Sequence, residues 1–422
     1  MSERAAVAAP PAADSGPAGI NRNPFTVANY QRWWLASVAA GLGVGIQAVT
    51  VPLFVRDRVS EDDRALAIAA ALICQNGAAA ALTLVGGVFA DRVERRRILV
   101  RTYGVAALVS IVYVALAGFD VGAVWPVFIL GAIVGSAGAF TNPARQSMMP
   151  QMLARPQIQN GVIFGTMAFM ASLQFLGPAT GGIVADGVSL TAAFAVEVGL
   201  LAVGALLFWR IATDAPVPTG KSVGRDLVDG LRYIKDQPAL AGLLALGTVP
   251  GVFLMGSFTV TVVIMVEDVL KESDKYVGFL WAAFGLGIVG GSLLMSLRPL
   301  PHRGTLVILS VVFGPLGYFL YGMSEVAWLS MAILFVTGIV GPAVFINLAS
   351  ALLQEHSSPQ MMGRVMSMYG LAFVASVPLG NLQAGIITSI WGPQAAIMFG
   401  GLAASAIGVA SLIWLKPVRT LK

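Results

Sequence analysis

Long uncharged stretches alternate with short charged segments along almost the whole chain. A helix needs roughly 20 apolar residues to cross the hydrocarbon core of a bilayer, so the length of each stretch is informative. Stretches of about that length or longer cover residues 33–55, 65–90, 102–119, 121–144, 157–185, 188–209, 238–266, 276–297, 304–324, 326–354 and 365–415, with Glu197 as the one interruption. The last stretch is long enough for two crossings, and Gly392-Pro393 is its natural break because both residues punctuate helices. The pattern predicts twelve transmembrane helices.

The length of these stretches also sets the fold class. In lipid every backbone polar group must be satisfied within the chain, so only helices and closed barrels cross a membrane. Barrel strands are about 10 residues of alternating polarity, far shorter than the stretches seen here. The chain is 57% apolar and 11% charged, whereas soluble proteins carry roughly 25% charged residues. We therefore expect an all-α membrane protein.

The two halves of the chain resemble each other. Residues 140–144 (FTNPA) match 345–349 (FINLA), 168–172 (AFMAS) match 372–376 (AFVAS), and 176–183 match 379–386, with an offset of 203 to 205 residues. A duplicated unit explains this nearly constant offset, since transporters are often built from internal repeats. We expect two six-helix bundles related by pseudo-two-fold symmetry, over residues 30–212 and 238–416.

Polar segments separate and flank these bundles. Residues 1–29 are Ala/Pro-rich with no apolar core of a signal peptide, which favours a disordered cytoplasmic tail, and 417–422 form a second short tail. Residues 213–237 form a charged linker in which Val223, Leu227, Leu231 and Ile234 fall on one helical stripe. This spacing predicts an amphipathic helix on the cytoplasmic surface of the membrane.

The distribution of Lys and Arg predicts the orientation. Basic residues are retained in cytoplasmic loops and depleted from translocated ones. With both termini in the cytoplasm, 21 of the 26 basic residues are cytoplasmic, and Arg56, Arg58, Arg64, Lys271 and Lys275 are on the other side. The basic net charge of +5 is therefore a topological signal and does not indicate nucleic-acid binding.

The segment after the second helix carries the most specific motif, GVFADRVERRR over residues 87–97. It resembles the signature loop of the major facilitator superfamily, in which a glycine, an Asp-Arg pair and a basic run join the second and third helices. The family has glycine where this chain has Glu94, and an acidic residue there resembles the branch of the enterobactin exporter and macrolide efflux proteins. The motif NPARQ over residues 142–146 and Gly363-Arg364 extend the resemblance over nearly the whole chain.

The resemblance implies a cytoplasmic gate. Asp91 is expected to meet the start of the eleventh helix near Arg364, where the positive end of the helix dipole favours a carboxylate. The expected gating residues are Gly87, Asp91, Arg92, Arg95, Arg96, Gly363 and Arg364. A purely topological role explains Arg95 to Arg97 well, but it does not explain why Asp91 stands at the helix end. In the fifth helix Gly177, Pro178 and Gly181 resemble part of an antiporter motif and are candidates for a hinge or for close packing.

The resemblance also places the first, fourth, seventh and tenth helices around a central cavity. Their candidate cavity residues are Gln47, Phe140, Asn142, Phe253, Phe258, Thr259, Phe345 and Asn347, although core packing explains each aromatic side chain as well. This apolar, amide-bearing set suits a bulky amphipathic or neutral molecule. A phosphate or dicarboxylate substrate would call for a buried Arg or Lys.

Glu197 is the one ionisable residue within a predicted span, so it is the candidate for proton coupling, with simple hydration as the alternative. His302 and His356 are isolated, and no phosphate-binding loop occurs, so we expect no metal site, no cofactor and no enzymatic activity.

We expect a monomeric inner-membrane protein of bacterial type that exports a drug-like or siderophore-like compound against protons by alternating access. The alternatives are an importer of a nutrient or metabolite and a membrane sensor that moves no solute.

Overall fold

The computed structural model describes residues 22–212, 230, 232–297, 300–358 and 360–421, and over 84–92 it describes the backbone alone. Every regular element in these residues is helical. The first half of the chain forms α1 (Ala28–Arg56), α2 (Arg64–Arg92), α3 (Arg95–Gly118), α4 (Trp125–Met148), α5 (Arg155–Ala171), α6 (Gly177–Gly187) and α7 (Leu190–Trp209). The second half forms α8 (Pro238–Val249), α9 (Gly256–Ile264), α10 (Lys275–Ser296), α11 (Arg303–Gly322), α12 (Ala327–Gly338), α13 (Val344–His356), α14 (Met362–Trp414) and α15 (Lys416–Arg419).

Short π-helical segments continue several of these helices instead of ending them. Ser172–Leu176 joins α5 to α6, Pro250–Met255 joins α8 to α9, Met265–Val269 extends α9, and Ile339–Ala343 joins α12 to α13. Eleven helical stretches among the described residues are thus long and apolar enough to cross a membrane. The prediction of an all-α membrane protein is confirmed.

The longest helix, α14, is interrupted where the sequence predicts a break. Gly392 has φ 86° and ψ 169°, which is not helical. Glycine adopts positive φ without strain because it has no Cβ, and Pro393 that follows supplies no backbone N–H. Residues 362–391 and 393–414 each exceed the roughly 20 residues that one crossing requires.

The buried apolar side chains of the described residues form four cores. One consists of first-half residues between Tyr30 and Ile211, and another of second-half residues between Ile234 and Val418. We call these the first-half core and the second-half core. The other two, the joint cores, contain residues of both halves: Leu53 packs with Phe258 in one, and Phe54 with Val260 in the other.

The joint cores and the half-specific cores lie at opposite ends of the molecule. Tyr30 near the start of α1 belongs to the first-half core, whereas Leu53 near its end belongs to a joint core. Val418, close to the C-terminus, belongs to the second-half core. We call the end with Tyr30 and Val418 the terminal end and the end with Leu53 the sealed end. In the part of the chain that the structure describes, both halves contribute to a core only at the sealed end.

The same helix crossing occurs once in each half. A Cβ on Gly45 of α1 would lie 2.9 Å from Cα of Gly177, and a Cβ on Gly256 of α9 would lie 2.6 Å from Cα of Gly380. Such short distances exclude any side chain, so the backbones touch directly. One turn earlier Gly41 meets Ser172, as Gly251 meets Ser376. Residues that match in the two sequence repeats therefore make matching contacts.

Parts of the predicted tail and linker lie outside the described residues, namely 1–21 and 213–229, together with Leu231. Within the described part of the linker, residues 232–235 are helical. Ile234 is buried in the second-half core, and the hydroxyl of Tyr233 accepts a hydrogen bond of 3.0 Å from the Ser358 backbone N–H. This bond to the ionisable oxygen lowers the pKa of Tyr233. The end of the linker is thus attached to the second half.

Candidate functional site

A buried polar cluster surrounds Glu197 inside the first half. Its Oε1 accepts a hydrogen bond of 3.0 Å from Gln47 Nε2 and one of 2.6 Å from Ser110 Oγ. Gln75 Nε2 in turn donates to Gln47 Oε1 at 3.4 Å. The Glu197 side chain is fully buried, and its Oε2 has no hydrogen-bond partner among the described residues. The cluster joins α1, α2, α3 and α7, and it brings together the predicted coupling residue and a predicted cavity residue.

Local packing explains why these side chains meet. Gly43 leaves room for α7 to approach α1, since a Cβ there would lie 2.8 Å from Cγ of Leu201 and 3.5 Å from the Glu197 carbonyl oxygen. Gln47 is one turn after Gly43, and Glu197 one turn before Leu201, so both polar side chains enter the same interface. We call Glu197, Gln47, Ser110 and Gln75 the acid cluster.

The corresponding region of the second half is aromatic. Phe258 of α9 is fully buried, and its ring centre lies 4.9 Å from that of Trp281, 5.7 Å from that of Phe284 and 6.1 Å from that of Tyr318. Tyr321 completes this set, which we call the aromatic cluster. Phe258, predicted as a cavity residue, is thus a centre of core packing.

The other predicted cavity residues are distributed over several environments. Asn142 and Asn347 are exposed, and Asn347 Nδ2 donates to Ser292 Oγ at 2.9 Å. Phe140 packs against the first-half core and Phe253 against the second-half core. Phe345 is buried with its ring 6.5 Å from that of Tyr369, and Thr259 Oγ1 donates to Asn381 Oδ1 at 3.1 Å. A groove of about 510 Å³ lies elsewhere, between α2 and α4, and includes none of them.

Ion pairs join the two halves at the sealed end. Arg56 donates two hydrogen bonds to the Asp274 carboxylate, at 2.6 and 3.1 Å, and its Nε lies 3.3 Å from Glu267. Arg64 lies 3.3 Å from the same Glu267, and Lys275 lies 3.7 Å from Asp186. Sequence reasoning missed these pairs. The signal was present, because three of the basic residues concerned are among the five that the orientation leaves on the translocated side.

The predicted hinge lies in a closely packed part of the first half. The π segment Ser172–Leu176 directly precedes Gly177 and Pro178. A Cβ on Gly181 would lie 3.2 Å from Cα of Ile46, and a Cβ on Gly182 would lie 3.0 Å from the backbone nitrogen of Gly278 in the other half. The segment therefore contacts α1 and the second half at the same time.

Arg145, which the charge distribution places among the basic loop residues, lies inside α4 and is only 3% exposed. The guanidinium carbon lies 3.6 Å from the ring centre of Phe169, and the Trp33 indole N–H donates to the Arg145 carbonyl at 3.2 Å. Arginines at the end of an apolar stretch look alike in sequence whether they face water or the bundle. Whether such an arginine faces water or the bundle depends here on the packing of α1 and α5 around α4.

Comparison with known proteins identifies the family. The transmembrane secretion effector family, MFS_3, matches residues 21–420. The chain belongs to this family of major facilitator transporters. The resemblance predicted from the loop motif is thereby confirmed, and the family consists of transporters, not of enzymes.

Relatives and a solved structure agree with this assignment. The enterobactin exporter EntS of Escherichia coli O1:K1 / APEC is 26% identical over 351 residues, which cover 80% of this chain and 81% of that protein. EntS of Escherichia coli O127:H6 has the same identity and coverage. The crystal structure of a point mutant of the nucleoside transporter NupG is similar in fold with a TM-score of 0.70 at 14% identity, covering 92% of this chain and 100% of that one. This major facilitator protein is a multi-pass protein of the inner membrane.

In this transporter the family's loop motif lies between α2 and α3. The backbone of α2 is helical through Arg92, whereas the side chains of Gly87, Asp91 and Arg92 lie outside the described residues. Glu94 has φ −54°, a value open to any residue, which explains why glycine is not needed at this position. Its carboxylate forms ion pairs with Arg96, at 2.8 Å, and with Arg97.

The partner side of the predicted gate is the start of α14. Arg364 Nη1 lies 3.3 Å from Met361 Sδ, and a Cβ on Gly230 of the linker would lie 3.5 Å from Cβ of Arg364. A Cβ on Gly363 would meet no atom of the described residues within 4 Å, and Arg96 also bonds to the Ile211 carbonyl at 3.4 Å. The Arg95 side chain has a buried Nε without a hydrogen-bond partner among the described residues. The contact of Asp91 with α14 stays a prediction.

Proposed function

We propose that this protein is a secondary active exporter that works by alternating access and couples efflux of a bulky amphipathic small molecule to protons. Its twelve transmembrane helices form two six-helix bundles, with the break at Gly392 separating the last two, and the protein acts as a monomer. Both termini are cytoplasmic, so the terminal end faces the cytoplasm. The matching glycine crossings in the two halves support this arrangement.

The segregation of the four cores is the observation that carries the proposal. Both halves contribute to the joint cores and to the ion pairs at the sealed end, while at the terminal end each described core belongs to one half. This arrangement supports a transporter that is open towards the cytoplasm. Rocking of one half against the other would separate Arg56 from Asp274 and bring the cytoplasmic ends together, with Asp91 contacting α14 as the lock of the outward-open state.

The acid cluster is the proposed coupling site. A carboxyl group enclosed by protein within a membrane is unfavourable as an unpaired charge, so its protonation state is linked to the conformation around it. Gln47 and Ser110 hold Oε1, which leaves Oε2 as the atom that takes up and releases the proton. Because α1 extends from the acid cluster to the sealed end, gain or loss of a proton at Glu197 would bias the packing between the halves.

The proposed substrate class is drug-like or siderophore-like. The relatives in Escherichia coli are named for export of enterobactin, and the candidate residues Asn142, Asn347 and Phe253 offer amide and aromatic surface. Efflux is measured in proteoliposomes that contain the purified protein and a panel of amphipathic compounds under an imposed pH gradient. Movement that stops when the gradient is collapsed is the expected result, and no movement of any compound under any gradient contradicts the proposal.

Cross-linking of the sealed end tests alternating access directly. In a Cys74→Ala background, the pair Asp186→Cys and Lys275→Cys is joined by a short bis-methanethiosulfonate reagent, which should arrest transport until a reductant releases it. The matched control is the pair Arg303→Cys and Glu355→Cys, whose native ion pair of 2.6 Å lies within the second half. Full transport by the cross-linked Asp186→Cys/Lys275→Cys protein would rule out opening at the sealed end.

An importer of a nutrient or metabolite is the alternative, and the structural likeness to a nucleoside transporter fits it at the level of the fold. Accumulation of each compound in whole cells, with and without a protonophore, separates the two. An exporter predicts higher accumulation when the gradient is removed, and an importer predicts lower accumulation. A sensor that moves no solute predicts no change.

A further inference from the structure

The proposed function leaves one buried charge unexplained. Arg145 lies three residues before the end of α4 and has an exposed fraction of only 3%. Its guanidinium stacks on Phe169 at 3.6 Å and lies 6.0 Å from the ring of Trp33. The Nε atom is buried and has no hydrogen-bond partner in the described part of the chain.

A buried cation needs compensation, and stacking on aromatic rings supplies part of it. None of the ion pairs formed between described side chains includes Arg145. The backbone here is held firmly, because the indole N–H of Trp33 donates to the Arg145 carbonyl oxygen. The guanidinium thus lies against two aromatic rings, and its Nε keeps a donor that no described residue uses.

The position of Arg145 on α4 connects it with the gap between the halves. Asn142, three residues before Arg145 and thus its neighbour on the helix surface, is exposed, and so is Gln146, one turn after Asn142. Towards the sealed end the same face of α4 is covered by α2, with Gly131 against the Ala71 carbonyl at 3.3 Å. At the terminal end, where the described cores are separate, Asn142 and Gln146 are exposed on this face. A molecule that enters from the terminal end would therefore meet α4 beside Arg145.

We propose that Arg145 binds an acidic group of the transported molecule, so that the substrate class is an amphipathic aromatic anion. A planar guanidinium donates two parallel hydrogen bonds to a carboxylate or sulfonate, and Trp33 and Phe169 provide apolar surface next to the charge. The inference rests on the proposed transport function and narrows it. It also revises the expectation of a neutral cargo, which depended on the lack of a buried basic residue in the predicted cavity set.

Two fluorescent probes of the same skeleton test the inference by equilibrium binding to the purified full-length protein. 8-Anilinonaphthalene-1-sulfonate carries an anionic group, and N-phenyl-1-naphthylamine is its neutral counterpart. Arg145→Gln should weaken binding of the sulfonate at least about tenfold, the usual effect of losing a hydrogen-bonded charge. Binding of the neutral probe should stay unchanged, and Arg145→Lys should retain an intermediate affinity for the sulfonate.

Arg101→Gln is the matched control, because Arg101 is an exposed arginine of α3 near the same end, and it should leave both affinities unchanged. An equal effect of Arg145→Gln on the binding of both probes would assign a structural role to Arg145 and overturn the proposal. Unchanged sulfonate binding by Arg145→Gln would overturn it too, as would the lack of saturable sulfonate binding by the wild type. The assay needs no transport. If the protein bound the sulfonate selectively but transported no compound, the proposed transport function would be contradicted and the proposed binding site would still be supported.

Discussion

The acid cluster and the aromatic cluster occupy equivalent places in the two halves but differ in chemistry. In each half the first and third helices meet in the interior: Gln47 and Ser110 do so through Glu197, whereas Phe258 and Tyr318 pack ring against ring at 6.1 Å. The matching helices thus have the same arrangement while their buried side chains differ. If Glu197 is the coupling residue, as proposed, proton chemistry belongs to the first half and rigid packing to the second, and each of these assignments can be tested separately.

The largest effect is expected at the acid cluster. Glu197→Gln removes the titratable group but keeps a side chain of the same size, so proton-driven flux should fall to the level of empty vesicles while the protein still folds. Flux in proteoliposomes and size-exclusion profiles give the two readouts. Glu355→Gln, which alters a carboxylate at the edge of the second half, should leave flux intact. Wild-type pH dependence in Glu197→Gln would dismiss it as the coupling residue.

The aromatic cluster should respond through stability. Phe258→Ala empties a fully buried site next to four aromatic side chains and should lower the free energy of unfolding by about 3 kcal/mol. Thermal unfolding in detergent measures the loss, and the number of protons moved per substrate should not change in the surviving protein. Phe313→Ala, at an exposed position of α11, is the control and should be close to neutral. A changed number of protons per substrate in Phe258→Ala would contradict the assignment of proton coupling to the first half alone.

A smaller effect is expected where one hydrogen bond is removed. Ser110→Ala takes away the 2.6 Å bond to Glu197 Oε1, worth about 1.5 kcal/mol when one partner is an acid, so flux should fall by roughly tenfold. Ser310→Ala in the third helix of the second half removes a bond to its own helix, the Val307 carbonyl, and should have little effect. Equal losses of flux in Ser110→Ala and Ser310→Ala would show that the hydrogen bond to Glu197 has no particular role in transport.

The smallest effect is expected at the outer edge of the acid cluster. Gln75→Leu breaks a bond of 3.4 Å to Gln47, which is long for a hydrogen bond and correspondingly weak. Flux should fall by less than about threefold. A loss as large as that of Glu197→Gln would instead make Gln75 part of the proton path.

The sequence predicts what depends on local composition. Hydrocarbon thickness alone accounts for the helical stretches, and the break at Gly392 follows from its own residue types. The meeting of Gln47 with Glu197 is not predictable in this way, because the two residues are 150 positions apart and only the packing of α1 on α7 brings them together. For the same reason the sequence could name both residues but not connect them.

Charged residues at the ends of apolar stretches suggest only topology in the sequence, and the structure gives several of them further roles. Arg145 is covered by Phe169 and Trp33 from two other helices, which no property of α4 alone could predict. Arg56 and Arg64 are exceptions to the rule in the predicted orientation, and they are paired with acids of the other half. An exception to a strong statistical rule was therefore the most useful signal that the sequence contained.

The repeated glycine crossings bear on how such a molecule can change over time. The helix axes are set by two contacts between glycines, Gly45 with Gly177 and Gly256 with Gly380. These contacts involve no side chains. Selection can therefore replace the polar or aromatic lining of either copy without shifting the axes of its helices. On the proposed function, the half with Glu197 could in this way acquire ion chemistry while the half with Phe258 kept its aromatic packing.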